Sequence, residues 1–88
     1  MKVGEYYKHF KGNNIYKIIA VNVSYTGESA GTELEELVVY QNINDKRIFV
    51  REYNELTEEL SKEKQEKYGK KYRIEKLEED ELKELGLN

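Results

Sequence analysis

The chain has 88 residues, 38% of them charged and 38% hydrophobic, with a formal net charge of −3. So short a chain makes one domain with a modest core and leaves no room for a deep catalytic cavity, while its acidic balance argues against nonspecific nucleic-acid binding. Cysteine is absent and histidine occurs once, which excludes a disulfide framework, a thiolate metal site and a histidine metal cluster.

Up to about Val50 the pattern is strand-like. "EYYKHFKG" is rich in aromatics and ends at Gly12, and "IYKIIAVNV" has the β-branched and aromatic content of a pleated, half-buried segment. The polar, glycine-containing stretch 24–33 reads as a mobile loop. Residues 34–41 and 47–51 are the next two strands. Several short strands between turns, with no proline, predict a small antiparallel barrel or curled sheet. From Asn54 the period changes: Leu56 and Leu60 are four apart, Tyr53 is three before Leu56, and Gly69 is a plausible stop, so one helix is expected over "NELTEELSKEKQEKYG". Glu58–Lys62 and Glu63–Lys67 then fall at i,i+4 in the favourable order. "KYRIEKL" alternates again as a late strand. "EEDELKELGLN" follows as a short helix with an acidic first turn and Gly86 past its end. The chain is expected to be one domain, residues 1–88, with a barrel core over 1–56 and a helical elaboration with a closing strand over 57–88.

The stretch "ELVVYQNINDKRIFV" is a hairpin. With Asn44 and Asp45 at the centre of its turn, Gln41 faces Ile48, Tyr40 faces Phe49 and Val39 faces Val50. Directly opposite residues share a face, so Leu37, Val39, Ile48 and Val50 form an aliphatic side and Tyr40, Phe49, Arg47 and Arg51 an aromatic one. If the aliphatic side fills the barrel, the aromatics face outward and offer a stacking platform edged by Arg47 and Arg51. The alternative is that Tyr53, Leu56 and Leu60 cover them.

Catalytic constellations are mostly missing. His9 has no partner at triad spacing, no phosphate-binding glycine loop occurs, and the "SKEK" at Ser61 matches a serine–lysine spacing without its companion motifs. His9 reads either as a strand histidine packed between rings, with a nitrogen bonding a backbone carbonyl, or as a ligand-contacting group. No catalytic residue, metal or cofactor is expected. No apolar run approaches the roughly 20 residues of a membrane span, and "MKVGEYYKHF" lacks the apolar stretch of a secretion signal, so a cytoplasmic protein without a membrane partner is expected.

"YKHFKG" (Tyr7 to Gly12), Tyr16, "EELVVYQ" and "IFVRE" together resemble the bacterial domain-of-unknown-function family numbered 1653. Its pattern runs Y-x-H-[YF]-K-G, then Y-x-V, L-V-V-Y and W-V-R-P. Tyr7, His9, Lys11, Gly12, Tyr16, Tyr40 and Arg51 match residue for residue, while Phe49 stands for the family's tryptophan and Glu52 for its proline. The resemblance implies an SH3-type barrel and assigns no activity. The fold expected is therefore mainly β with short helices: a small SH3-like antiparallel barrel with a C-terminal helical elaboration. The function expected is a non-catalytic module binding a peptide or protein partner through Tyr7, His9, Tyr40, Arg47, Phe49 and Arg51. The alternative is nucleotide or nucleic-acid binding on that face with Lys8, Lys11 and Lys17. A small enzyme or enzyme accessory built on His9 comes third.

Overall fold

Alternation of β-branched and aromatic residues with polar ones produces the strands, and the places where alternation fails are where the sheet bends. The computed structural model describes residues 1–26 and 34–87. Its strands are β1 (Tyr6–His9), β2 (Ile15–Tyr25), β3 (Leu34–Asn42), β4 (Ile48–Glu52) and β5 (Ile74–Lys76), joined antiparallel in the order β4-β3-β2-β1-β5. Three short helices complete the described residues: α1 (Tyr53–Leu56), α2 (Lys62–Tyr68) and α3 (Glu79–Glu84). The chain is mainly β, as its sequence predicts. None of these helices is long and apolar enough to cross a membrane.

The expected loop 24–33 lies mostly outside the described residues. At its start, Ser24 and Tyr25 prolong β2 instead of leaving it. The hairpin register is the one the alternation predicts: Gln41 pairs with Ile48, Tyr40 with Phe49 and Val39 with Val50. Its turn is larger than a two-residue turn. Residues 43–46 close it, the Asn42 N–H donates to the Arg47 carbonyl (2.9 Å), and the left-handed residue is Lys46 (φ 66°) rather than Asn44 or Asp45. Asn42 makes this possible. It is buried, and its Oδ1 accepts from the N–H of Asn44 (2.8 Å) and of Asp45 (3.4 Å), so the turn's amides are satisfied from inside.

The expected aliphatic side is buried only at its Leu37 end; at Ile48 and Val50 the ribbon faces the other way from the sequence-based expectation. Ile48 and Val50 are 62% and 59% exposed, whereas Val38 and Ile18 are 1% exposed. The pairs Tyr7–Tyr16, Ile18–Tyr40, Tyr40–Phe49, Val38–Arg51 and His9–Ile74 put the rings and the buried aliphatics on one common side. The physical reason is curvature. Register shifts interrupt the β2–β3 ladder three times after Ile18, with Asn22 (φ 54°) and Glu36 (φ 56°) in left-handed backbone. Bulges of this kind bend and twist the strand that carries them. The sheet curls, so that Ile74 of edge strand β5 and Leu56, just past the other edge strand β4, meet Ile18 and Val38 in one cluster. Tyr7 and Tyr40 pack against that cluster.

The expected helix from Asn54 is two helices. Leu56 and Leu60 are both buried, but the chain between them is extended: Glu59 bridges to Tyr72, and the Leu60 N–H donates to the Lys71 carbonyl (2.8 Å). Ser61 then starts α2 by accepting the Lys64 N–H on its Oγ (3.3 Å). "SKEK" is therefore a helix cap, and Glu58 pairs with Arg73 instead of Lys62. Gly69 ends α2 in left-handed backbone (φ 66°), as its position predicts.

Because Ile18 is sealed and Ile48 is not, Ile18→Ala is expected to lower unfolding free energy by about 2–5 kcal/mol in urea denaturation. Ile48→Ala should change it by no more than about 0.5 kcal/mol. A loss at Ile48 comparable to that at Ile18 would reverse the sidedness described here.

Candidate functional site

The curl leaves a cavity of about 180 Å³ on the concave side of the sheet. β1 contributes His9, β2 Tyr16, β3 Tyr40, and β4 Phe49 and Arg51; the opposite wall is Leu56 of α1, Arg73 and Ile74. Strand pairing dictates this convergence, since His9 faces Ile74 across β1–β5 and Tyr40 faces Phe49 across β3–β4. Tyr40 and Phe49 are stacked with centroids 5.6 Å apart, and Tyr16 meets both edge-on, at 5.2 and 6.1 Å. Such offset and edge-to-face pairs are favourable aromatic geometries. The rings are half-buried, neither sealed nor free, and Leu56 supplies part of their cover.

Four of the six residues singled out from sequence, His9, Tyr40, Phe49 and Arg51, lie in this wall. Arg47 sits beside them, its guanidinium 5.4 Å from the Phe49 centroid. Tyr7 is elsewhere: it packs on the core cluster and donates its hydroxyl to Glu5 Oε1 (3.2 Å). Burial, reinforced by the Glu5 carboxylate, pushes the Tyr7 hydroxyl up to about 12. Of the lysines named with them, Lys8 and Lys17 lie on the face away from His9 and Tyr16, and Lys11 reaches over the Phe10 ring, 5.7 Å from its centroid. Lys8 pairs with Ile15 and Glu75 and lines a separate hollow near α3, while Lys17 pairs with Tyr6 and reaches over its ring.

Sequence reasoning missed Tyr16 as a site residue and missed Arg73 altogether. Arg73 enters from a distant segment, fixed by its backbone N–H to the Glu58 carbonyl (3.2 Å), by the Phe10 N–H to its own carbonyl (3.0 Å), and by an ion pair with the Glu58 carboxylate. Its Nε is enclosed with no acceptor among the described residues. Arg51 is half-buried, and its guanidinium likewise has no ion-pair or hydrogen-bond partner among them. Alternation in "YRIEKL" gives no signal for it, since it sets Arg73 on the opposite side from the buried Ile74; Arg73 reaches the cavity because it precedes β5 and is not held to that alternation.

His9 packs against Phe10 (4.7 Å) and edge-on to Tyr16 (6.3 Å). Its Nδ1 accepts the Lys11 N–H (3.2 Å) instead of donating to a carbonyl, so the neutral ring carries its proton on Nε2. Burial lowers the affinity of His9 for a second proton, and the positive charges of Arg73, Lys11 and Arg51 lower it further. Burial also raises the Tyr16 hydroxyl. The cavity therefore presents cations, a neutral imidazole and hydroxyls around an aromatic floor. No lining residue is a carboxylate, and among the described residues no group of three or more His, Asp and Glu is placed to hold a metal ion.

Fold and site together define a small curled β-sheet domain with a cationic, aromatic pocket on its concave side. Residues 5–76 match the family model described as "Protein of unknown function (DUF1653)", and the chain belongs to that family. No curated protein and no solved structure matches it.

His9 makes stability pH-dependent with a definite sign. Its native pKa lies below the reference value of 6.5, so between the two the unfolded chain binds more protons. Stability should be complete above pH 6.5 and fall as pH drops through 6.5 toward the native value. Chemical denaturation of wild type and His9→Gln from pH 8 to 5 checks this: the slope near pH 6 should vanish in the variant, and the His9 Hε1 resonance should titrate below 6.5.

Proposed function

We propose that the protein is a non-catalytic binding module on an SH3-like barrel, working in the cytoplasm, that takes an anchoring side chain of a peptide or protein partner into this cavity. The observation that carries the reading is the cavity's size and lining. About 180 Å³ is below the roughly 300–1,000 Å³ of pockets that hold small molecules or cofactors, and it suits a single side chain of a larger partner. Half-buried aromatics and an Arg that makes no ion pair or hydrogen bond among the described residues are the residue types that dominate binding energy at protein interfaces. The exposed edge of the sheet beside Phe49 and Arg51 would let an extended segment lie along β4 while its anchor enters the cavity.

Nucleotide binding keeps one supporting feature, the stacked Tyr40–Phe49 pair with Arg47 beside it. A bound strand would also need a continuous track of cations, and Lys8 and Lys17 lie on the opposite face of β1 and β2 from His9 and Tyr16. A peptide partner is therefore the better reading.

Panning a display library of linear peptides against the wild-type chain should enrich binders. Phe49→Ala and Tyr40→Ala should each weaken those binders by at least about tenfold, since truncating an interface anchor typically costs more than about 1 kcal/mol. Binders indifferent to both substitutions, or no enrichment at all, would remove the proposal.

A further inference from the structure

We infer that the group taken into the cavity carries an oxyanion, a carboxylate or phosphate on the partner's anchoring side chain, held by Arg51, Arg73 and the Nε2–H of His9. This deepens the binding-module reading and rests on it. The lining is donor-rich. Arg51 has no acceptor among the described residues, one arm of Arg73 is taken by Glu58 from outside the cavity, and its Nε is enclosed without an acceptor. His9 has already used Nδ1 as an acceptor toward Lys11, which leaves Nε2–H as its remaining donor.

A half-buried cation with unsatisfied donors is costly, and a ligand oxygen would relieve that cost at Arg51, which makes no ion pair or hydrogen bond among the described residues, while adding to the one Glu58 pairing that Arg73 already has. The guanidinium fork fits the paired oxygens of a carboxylate or a phosphate equally well. Each of these groups is small enough for about 180 Å³ with room left for the stem that carries it. The stem would run over Tyr40 and Phe49, whose stacked pair forms the apolar part of the wall. His9 stays neutral at physiological pH because burial and the nearby Arg73, Lys11 and Arg51 oppose its protonation, so it serves as a hydrogen-bond donor and not as a third fixed cation.

The test is an NMR titration of the full chain at pH 7 with sodium acetate, inorganic phosphate and, as a neutral isostere, acetamide. Acetate or phosphate is expected to shift the Nε–H signals of Arg51 and Arg73 and the Hε1 signal of His9 saturably in the millimolar range, with acetamide leaving them in place. Stronger binding of phosphate assigns a phosphorylated side chain, and stronger binding of acetate an Asp or Glu. In Arg51→Met the affinity for the better anion should drop at least tenfold with the amide pattern otherwise preserved, and Arg51→Lys should restore part of it. Equal shifts with acetamide, or no response to either anion, overturns the oxyanion. The peptide panning is read independently: Phe49-dependent binders that lack any acidic group would keep the binding module and discard its anion.

Discussion

The bend in the β2–β3 ribbon is the feature on which the rest of the structure depends. β2 runs for 11 residues, longer than a short domain needs if its sheet is flat. Its three register shifts against β3 convert that length into curvature. Only a curled sheet can bring Ile74, from the β5 edge, and Leu56, from beyond the β4 edge, onto the same Ile18–Val38 pair. The same curl that closes the core borders the cavity next to it: Leu56 and Ile74 belong to the core cluster and also line the cavity wall. Core and site are one surface, divided by the point where aliphatic residues give way to aromatic and cationic ones.

Polar ties at the sheet's margins hold this curl in place. On one side Lys76 of β5 pairs with Glu5 (2.7 Å), which also accepts the Tyr7 hydroxyl, and the Lys76 contact is the main reason the Glu5 carboxyl stays below its usual range. On the other, the extended link between α1 and α2 is stitched to the approach to β5 by the Glu59–Tyr72 bridge, by Leu60 to Lys71, and by the Glu58–Arg73 ion pair. Each of the two ion pairs joins an exposed side chain, Lys76 or Glu58, to a half-buried one, Glu5 or Arg73. Their role is positional: they fix the angle at which Arg73 enters the cavity wall. A residue from a strand's approach, more than twenty positions beyond Phe49, thereby becomes a neighbour of the hairpin.

The sequence made the local structure readable and left the global sense of the sheet hidden. Period-2 alternation and a turn centred between Asn44 and Asp45 are enough to place Tyr40 opposite Phe49, since the centre of the turn sets which residues meet and alternation sets which share a face. Inside and outside do not follow from parity. Counting aliphatics favours the Val39–Val50 side, but curvature decides which side is concave, and the signals for curvature are Asn22 and Glu36, polar residues in a strand with nothing in their identity to announce a bulge. The split of the expected helix was hidden for a similar reason. Leu56 and Leu60 are spaced for a helix and are both buried, yet they reach the core from an extended segment paired with 71–72. Ser61 marked the break, as a cap residue ahead of a polar helix. Tyr16 and Arg73 escaped notice as site residues because a pocket is built by contacts between distant segments, and one sequence records only neighbours along the chain.

Charge placement then separates the concave side from everything around it. The chain carries 18 acidic residues against 15 basic ones, yet among the described residues no Asp or Glu lines the cavity. The first turn of α3 alone holds Glu79, Asp80 and Glu81, away from the cavity wall. An acidic exterior repels a long polyanion at every point of its approach, whereas a single oxyanion on an otherwise neutral or basic segment feels mainly the nearby guanidinium groups, whose field is strengthened by the low-dielectric ring wall. Selectivity of that kind needs no large interface, because it rejects the wrong partner by repulsion before contact and leaves the pocket to supply the discrimination at short range. A neutral His9 fits the same logic: adding a third positive charge there would raise the cost of holding Arg51 and Arg73 in the wall of so small a domain, while a neutral donor adds a hydrogen bond without that cost.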